Sequence, residues 1–139
     1  MKAIRFLHGV VLFLIVGMSC LHAAKIVLVA GGTEDRTDIP ATRALLKEPF
    51  GVDFDRAGNL FIIEMASGNR LLKVDAKGML SHVAGQPTAG DSGDGGPARS
   101  AQFNGPHNLA VLPEGDVLIA DTWNGRVRRV NLSLLVASC

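Results

Sequence analysis

The chain has 139 residues, 14 basic and 13 acidic side chains and a formal net charge of +1, which fits one modest domain and excludes a charge-driven pull toward nucleic acid or anionic membrane. Sixteen glycines against six phenylalanines, one tryptophan and no tyrosine, without a Gly-X-Y period, imply many tight turns between short strands. The two cysteines are Cys20 and Cys139, too few for a disulfide framework or a cysteine-rich zinc site.

Residues 1–24 read as an export signal. Lys2 and Arg5 give a positive start, Phe6 to Val16 a mostly apolar stretch, and Leu21-His22-Ala23-Ala24 a small-residue exit. Cleavage there leaves Lys25 near the mature start. An uncleaved anchor is the alternative, because Phe6 to Ala24 approaches the length that spans a bilayer. A lipoprotein reading of Cys20 is weaker, since Gly17-Met18-Ser19 lacks the usual aliphatic residue.

An internal repeat organises the chain beyond Ala24, and such a repeat decides the fold class. Pro49-Phe50-Gly51-Val52 to Glu64 lies over Pro106-His107-Asn108-Leu109 to Asp121, an offset of 57 positions. With one residue deleted, Asn69-Arg70 to Asp75 lies over Gly125-Arg126 to Asn131, and Val29-Ala30-Gly31 repeats as Val83-Ala84-Gly85. The division that results is an outer strand and inter-blade loop at 25–48, a first unit at 49–85, a glycine-rich loop at 86–105 and a second unit at 106–139.

Each unit holds short aliphatic and β-branched runs broken by turn residues, which predicts strands. They are Val52 to Phe54, Leu60 to Ile63, Leu71 to Val74 and Leu80 to Val83 in the first unit. In the second they are Leu109 to Val111, Val117 to Ala120, Val127 to Val130 and Leu134 to Ala137. Gly58, Gly78, Gly115 and Gly125 fall in the turns, where glycine takes φ > 0 without a Cβ penalty. Ile26 to Val29 is expected to be one extra N-terminal strand. The fold class is all-β: two four-stranded antiparallel propeller blades plus that strand.

These residues resemble the NHL family of six-bladed propellers. The motif is Pro-x-Gly/Asn-aliphatic, then Gly-x-aliphatic, Ala/Ile-Asp/Glu, Asn-Gly-Arg or Gly-Asn-Arg, and finally aliphatic-x-Lys/Arg-Val-Asp/Asn. The resemblance covers most of Lys25 to Asn131. Two blades do not close a ring, so a truncated chain, or one completed by assembly, is expected, with open blade edges prone to self-association.

Alternate turns of a blade share a face, which places Phe50, His107, Asn108, Met65-Ala66, Trp123-Asn124 and the Gly90 to Gly96 loop on one rim. That rim is the candidate ligand surface. His107 lies in a blade similar to the histidine-bearing blades of peptidylglycine amidating lyase, where histidines meet zinc. Phe50 stands at the equivalent place in the first blade, so a metal role for His107 is a weak reading. Asp91 and Asp94 lack the spacing of an EF-hand and read as solvated charges on a flexible connector. Ser92 lacks the strand-to-helix elbow of a nucleophile.

Glu64 and Asp121, at the ends of the second strands, read as structural acceptors of backbone N–H groups. Arg126 and Arg128 fall on one strand face and Arg129 on the other, so they make no continuous basic patch, and export argues against RNA. Asn131-Leu132-Ser133 is a glycosylation sequon, relevant in a eukaryotic secretory route. The expected function is a secreted or periplasmic binding or scaffolding module for a protein or other extracytoplasmic ligand. It needs no cofactor, binds no nucleic acid and touches no membrane after signal cleavage. The alternative is part of a metal-dependent propeller enzyme of the amidating-lyase or sugar-lactonase type.

Overall fold

A computed structural model describes residues 24–132 of the chain. Eight strands make two antiparallel sheets: β1 (Ile39–Pro40), β2 (Pro49–Phe54), β3 (Leu60–Glu64), β4 (Arg70–Val74), β5 (Met79–Gly85), β6 (Asn108–Val111), β7 (Val117–Asp121) and β8 (Arg126–Val130). The first sheet runs β1-β5-β4-β3-β2 and the second β6-β7-β8. The repeat is therefore a repeat of sheets, each a blade or part of one.

The hairpin turns follow from their residues. Asp55 Oδ1 accepts the backbone N–H of Ala57 and Asn59 at 3.0 and 2.8 Å, and Asp75 Oδ1 accepts those of Lys77 and Met79, both at 2.9 Å. Three residues beyond each aspartate stands a glycine, Gly58 at φ +82° and Gly78 at φ +78°. A side chain would strain in that left-handed region. In the second blade Gly115 takes φ +98° in the corresponding turn.

Two apolar clusters hold the sheets together. On one face of the first blade Leu60, Ile62, Leu72, Val74 and Leu80 pack under Ile39, Ala41 and Ala44. On its other face Phe61, Ile63, Leu71 and Ala84 meet Phe103, Leu109, Val117, Ile119 and Val130, which fuses the blades. Strand β3 is thus buried on both sides, which is why its sequence, Leu-Phe-Ile-Ile-Glu, shows no polar alternation. Burying one such side chain fully contributes about 1.5–3 kcal/mol.

The expectation for Ile26 to Val29 needs correction. Among the described residues they form no strand and are exposed. The edge of β5 is instead taken by β1, with Ile39 opposite Leu80 and Pro40 opposite Met79. Proline is tolerated on such an outer strand, where its missing N–H costs no ladder bond. The strand expected at Leu134 to Ala137 and most of the export signal lie outside the described residues. Among the described residues no helix is long and apolar enough to cross a membrane.

Candidate functional site: an aromatic rim between the blades

The two inner strands approach closely. A Cβ on Gly51 would stand 2.8 Å from Asn108 Oδ1 and 3.0 Å from Asn108 Cα, so the first blade presents bare backbone there. Two residues further on, Asp53 Oδ2 accepts the backbone N–H of Val111 at 2.8 Å, a direct bond between blades. This bond, with that to Phe54 N–H, holds the Asp53 carboxyl below the usual carboxylate range.

At the start of β2 the register against β3 slips between Pro49 and Gly51, which puts Phe50 in the irregularity. The Phe50 ring meets the His107 ring edge-on, centroids 4.7 Å apart. His107 in turn meets Trp123 at 6.3 Å, again edge-on. Its Nδ1 lies 2.8 Å from the carbonyl of Gly105; a carbonyl only accepts, so that nitrogen carries the proton. Three rings from two blades thus form one row.

Trp123 sits on the three-residue 3₁₀ turn Thr122–Asn124, ended by Gly125 at φ +64°. Its ring lies over Gly105, where a Cβ would overlap the indole. Its backbone N–H donates to Asn104 at 3.1 Å. Phe50 and Trp123 keep 58% and 57% of their surface exposed while His107 is half-buried between them, so the row is an open apolar strip.

The other rim residues divide into surface and support. Asn108 is exposed, and its Oδ1 accepts the N–H of Leu109 at 2.9 Å. Asn124 is support, its amide donating to the Gly90 carbonyl at 2.7 Å and to Asp121 Oδ2 at 2.9 Å. Met65 and Ala66 hold the neighbouring turn, Met65 N–H donating to Glu48 O and Ala66 O accepting from the Asn69 amide. His82 lies on β5, its Nε2 against the carbonyls of Ala84 and Gly85, away from His107.

The connector at Gly90 to Gly96 carries its aspartates exposed, as expected, but it is held in place by side chains of β8. Arg128 binds Asp94 Oδ1 at 2.6 Å and donates to the carbonyls of Gln102 and Ser92, while Arg126 donates to the Asp91 carbonyl. Arg128 also lies over the Phe103 ring at 5.1 Å. The arginines on one face of β8 therefore pin the loop, and Arg129 on the other pairs with Asp116 and Glu114. Among the described residues no three histidine, cysteine or acidic side chains converge as a metal-ligand set.

Two supporting residues were not singled out from the sequence. Asn69 is buried with φ +49°; its amide donates to Ala66 and Pro87 carbonyls and its Oδ1 accepts Gly105 N–H at 3.0 Å. Gly105 is the floor under Trp123. The signal for Asn69 existed: it lies over Gly125, the other left-handed residue of the repeat.

Comparison with known proteins places this geometry. The Teneurin NHL domain family profile matches residues 22–131. Teneurin-1 of Mus musculus is 34% identical over 103 residues, 66% of this chain and 4% of that protein. Teneurin-4 of Homo sapiens is 34% identical over 100 residues, covering 63% of this chain and 4% of its own length. A crystal structure from Bacteroides thetaiotaomicron, described as a protein of unknown function, superposes with a TM-score of 0.62 at 30% identity over 72% of this chain and 26% of that one. The chain thus spans a small part of each relative.

Proposed function

Starting from a chain that belongs to the Teneurin NHL domain family, we propose that it is an extracytoplasmic binding module whose ligand surface is the Phe50–His107–Trp123 row. The observation that carries this reading is the convergence of three rings from two blades with both outer rings more than half exposed. Aromatic side chains bring large contact area at low entropic cost, and a rigid frame beneath them limits what binding must order. The Asn69–Gly105 bond and the Trp123 seat supply that frame. A protein ligand is the partner that an open strip of this kind fits. Export of the chain, with cleavage near Lys25, is part of the proposal and rests on the residues at 1–24.

A metal-enzyme reading would need His107 to join ligands at about 2.0–2.2 Å from a shared ion. The ring beside it is Phe50, which offers no donor, and although the bond from Nδ1 to the Gly105 carbonyl leaves Nε2 as an acceptor, no further ligands converge on it among the described residues. Equilibrium dialysis of the purified chain against zinc discriminates between the two. The binding-module reading predicts no stoichiometric zinc and a fold retained in His107→Ala. Tight zinc that His107→Ala abolishes would replace it with the lyase-like reading.

A further inference from the structure

The segment that carries Phe50 to the rim contains a residue in a conformation that its chemistry does not favour. Glu48 takes φ +52°, in the left-handed region where a side chain strains. Its counterpart 57 positions on is Gly105, at φ +54°. The second blade thus fills this position with the residue that meets it without strain, and the first blade places a carboxylate there. The exchange is matched across the neighbouring turn. Trp123 lies over Gly105, and the residue of the first blade equivalent to Trp123 is Ala66. The room that an indole fills in the second blade is left in the first to the Glu48 side chain, whose Oε2 accepts the Ser67 N–H at 3.0 Å.

This carboxylate is exposed and, among the described residues, has no ion-pair partner. The basic side chains of the same rim are already matched. Lys47 Nζ lies 2.9 Å from Asp35, Arg70 lies 2.7 Å from Glu64, and Arg126 lies 3.6 Å from both Asp94 and Asp121. Negative charge is therefore in surplus two residues before Phe50. The aromatic row has the same polarity. The ring faces of Phe50 and Trp123 carry the negative part of the aromatic quadrupole. His107, protonated on Nδ1, offers Nε2 as an acceptor that has no hydrogen-bond partner among the described residues.

We propose that the rim receives an arginine side chain of a partner protein, its guanidinium against the exposed rings, with Glu48 as counter-charge and His107 Nε2 as acceptor. The inference rests on the row being the ligand surface and names the chemistry of what that surface receives. A cation over an aromatic face is attracted by the ring itself, and a neighbouring carboxylate adds to the attraction. Arginine suits the rim better than lysine, because its planar, weakly hydrated guanidinium stacks on rings and brings five N–H donors to the acceptors. The strained backbone at Glu48 is then retained because its carboxylate has a task outside the fold.

The test titrates the 139-residue chain with the peptide acetyl-Gly-Gly-Arg-Gly-Gly-amide and follows the fluorescence of Trp123, the single tryptophan. A second titration uses the same peptide with citrulline, the neutral isostere, in place of arginine. The arginine peptide should bind saturably and the citrulline peptide at least tenfold more weakly. Glu48→Gln keeps an oxygen for the Ser67 N–H and removes the charge, so it should weaken the arginine peptide at least fivefold with the unfolding midpoint unchanged. Glu48→Gly, which installs the residue of the second blade, should weaken it as much. Equal affinity for the two peptides, or Glu48→Gln binding like the parent, overturns the proposal. If Phe50→Ala then weakens both peptides alike, the row remains a ligand surface, but for a neutral group. A chain that binds neither peptide also overturns the arginine contact, and leaves the row itself to be judged by capture of a whole protein.

Discussion

Glu64 and Asp121 occupy one structural position in successive blades. Each is fully buried and accepts the backbone N–H of the residue 17 positions before it, Lys47 at 2.6 Å and Asn104 at 2.8 Å. Each also faces a basic side chain from the next strand, Arg70 at 2.7 Å from Glu64 and Arg126 at 3.6 Å from Asp121. The carboxylate thus ties the incoming connector to the end of the second strand. It sets the height at which Phe50 and His107, a few residues further on, leave for the rim.

Asp121→Ala should therefore be among the most damaging single changes. It leaves the Asn104 N–H without its acceptor, takes one of two acceptors from the Asn124 amide, and removes the counter-charge 3.6 Å from both Arg126 and Arg128, of which Arg128 keeps Asp94. Leaving a buried donor unsatisfied costs about 1–3 kcal/mol. Urea unfolding measures it; a loss of about 1 kcal/mol or less would show that the carboxylate does not organise the connector.

Gly105→Ala tests the seat of the rim. The added methyl would overlap the indole, and φ +54° adds backbone strain of about 1–2 kcal/mol. Trp123 is the single tryptophan of the chain, so its fluorescence reports the site without labelling. The substitution should shift the emission maximum and lower the unfolding midpoint. An unchanged spectrum would place the ring elsewhere than over Gly105.

Acid should loosen the blade–blade bond. The Asp53 carboxyl is held below its ordinary range by the N–H groups of Val111 and Phe54, so its contribution is fully present above about pH 4. It is lost as pH falls through the lowered folded-state value. Stability of the parent should accordingly fall more steeply below about pH 4 than that of Asp53→Asn. Parallel curves for the two chains would show that the Asp53 carboxylate does not stabilise the contact between the blades.

The turn glycines give a prediction free of packing. A Cβ at Gly58, Gly78 or Gly115 meets nothing within 4 Å, so valine there is penalised by backbone conformation alone. Each substitution should cost about 1 kcal/mol or more from forcing a branched residue into positive φ. Thermal unfolding of the three variants checks this, and midpoints within error of the parent would deny the left-handed turns.

Much of the architecture is legible in the sequence, because seven of the strands fall on aliphatic runs between Asp, Asn and Gly turns. Ile26 to Val29 shows where that reading fails. Its likeness to β5 reports what a segment can pair with, while strand formation also requires a neighbouring edge, and among the described residues no strand pairs with it. The connector at Gly90 to Gly96 reads as unstructured from its glycine content; its order comes from Arg126 and Arg128, more than 30 positions away. A common rim for Phe50 and His107 follows from their equivalence in the repeat. The Trp123 seat on Gly105 does not, since only the folded chain brings 105 under 123.

We propose the Phe50–His107–Trp123 row as the surface that engages a ligand. Capture of extracytoplasmic proteins from the chain's own source on the immobilised parent and on the folded double variant Phe50→Ala, Trp123→Ala tests that surface. A specific protein should be retained by the parent and bound at least tenfold more weakly by the double variant. Retention of the same protein at equal affinity by both chains would place the binding surface elsewhere.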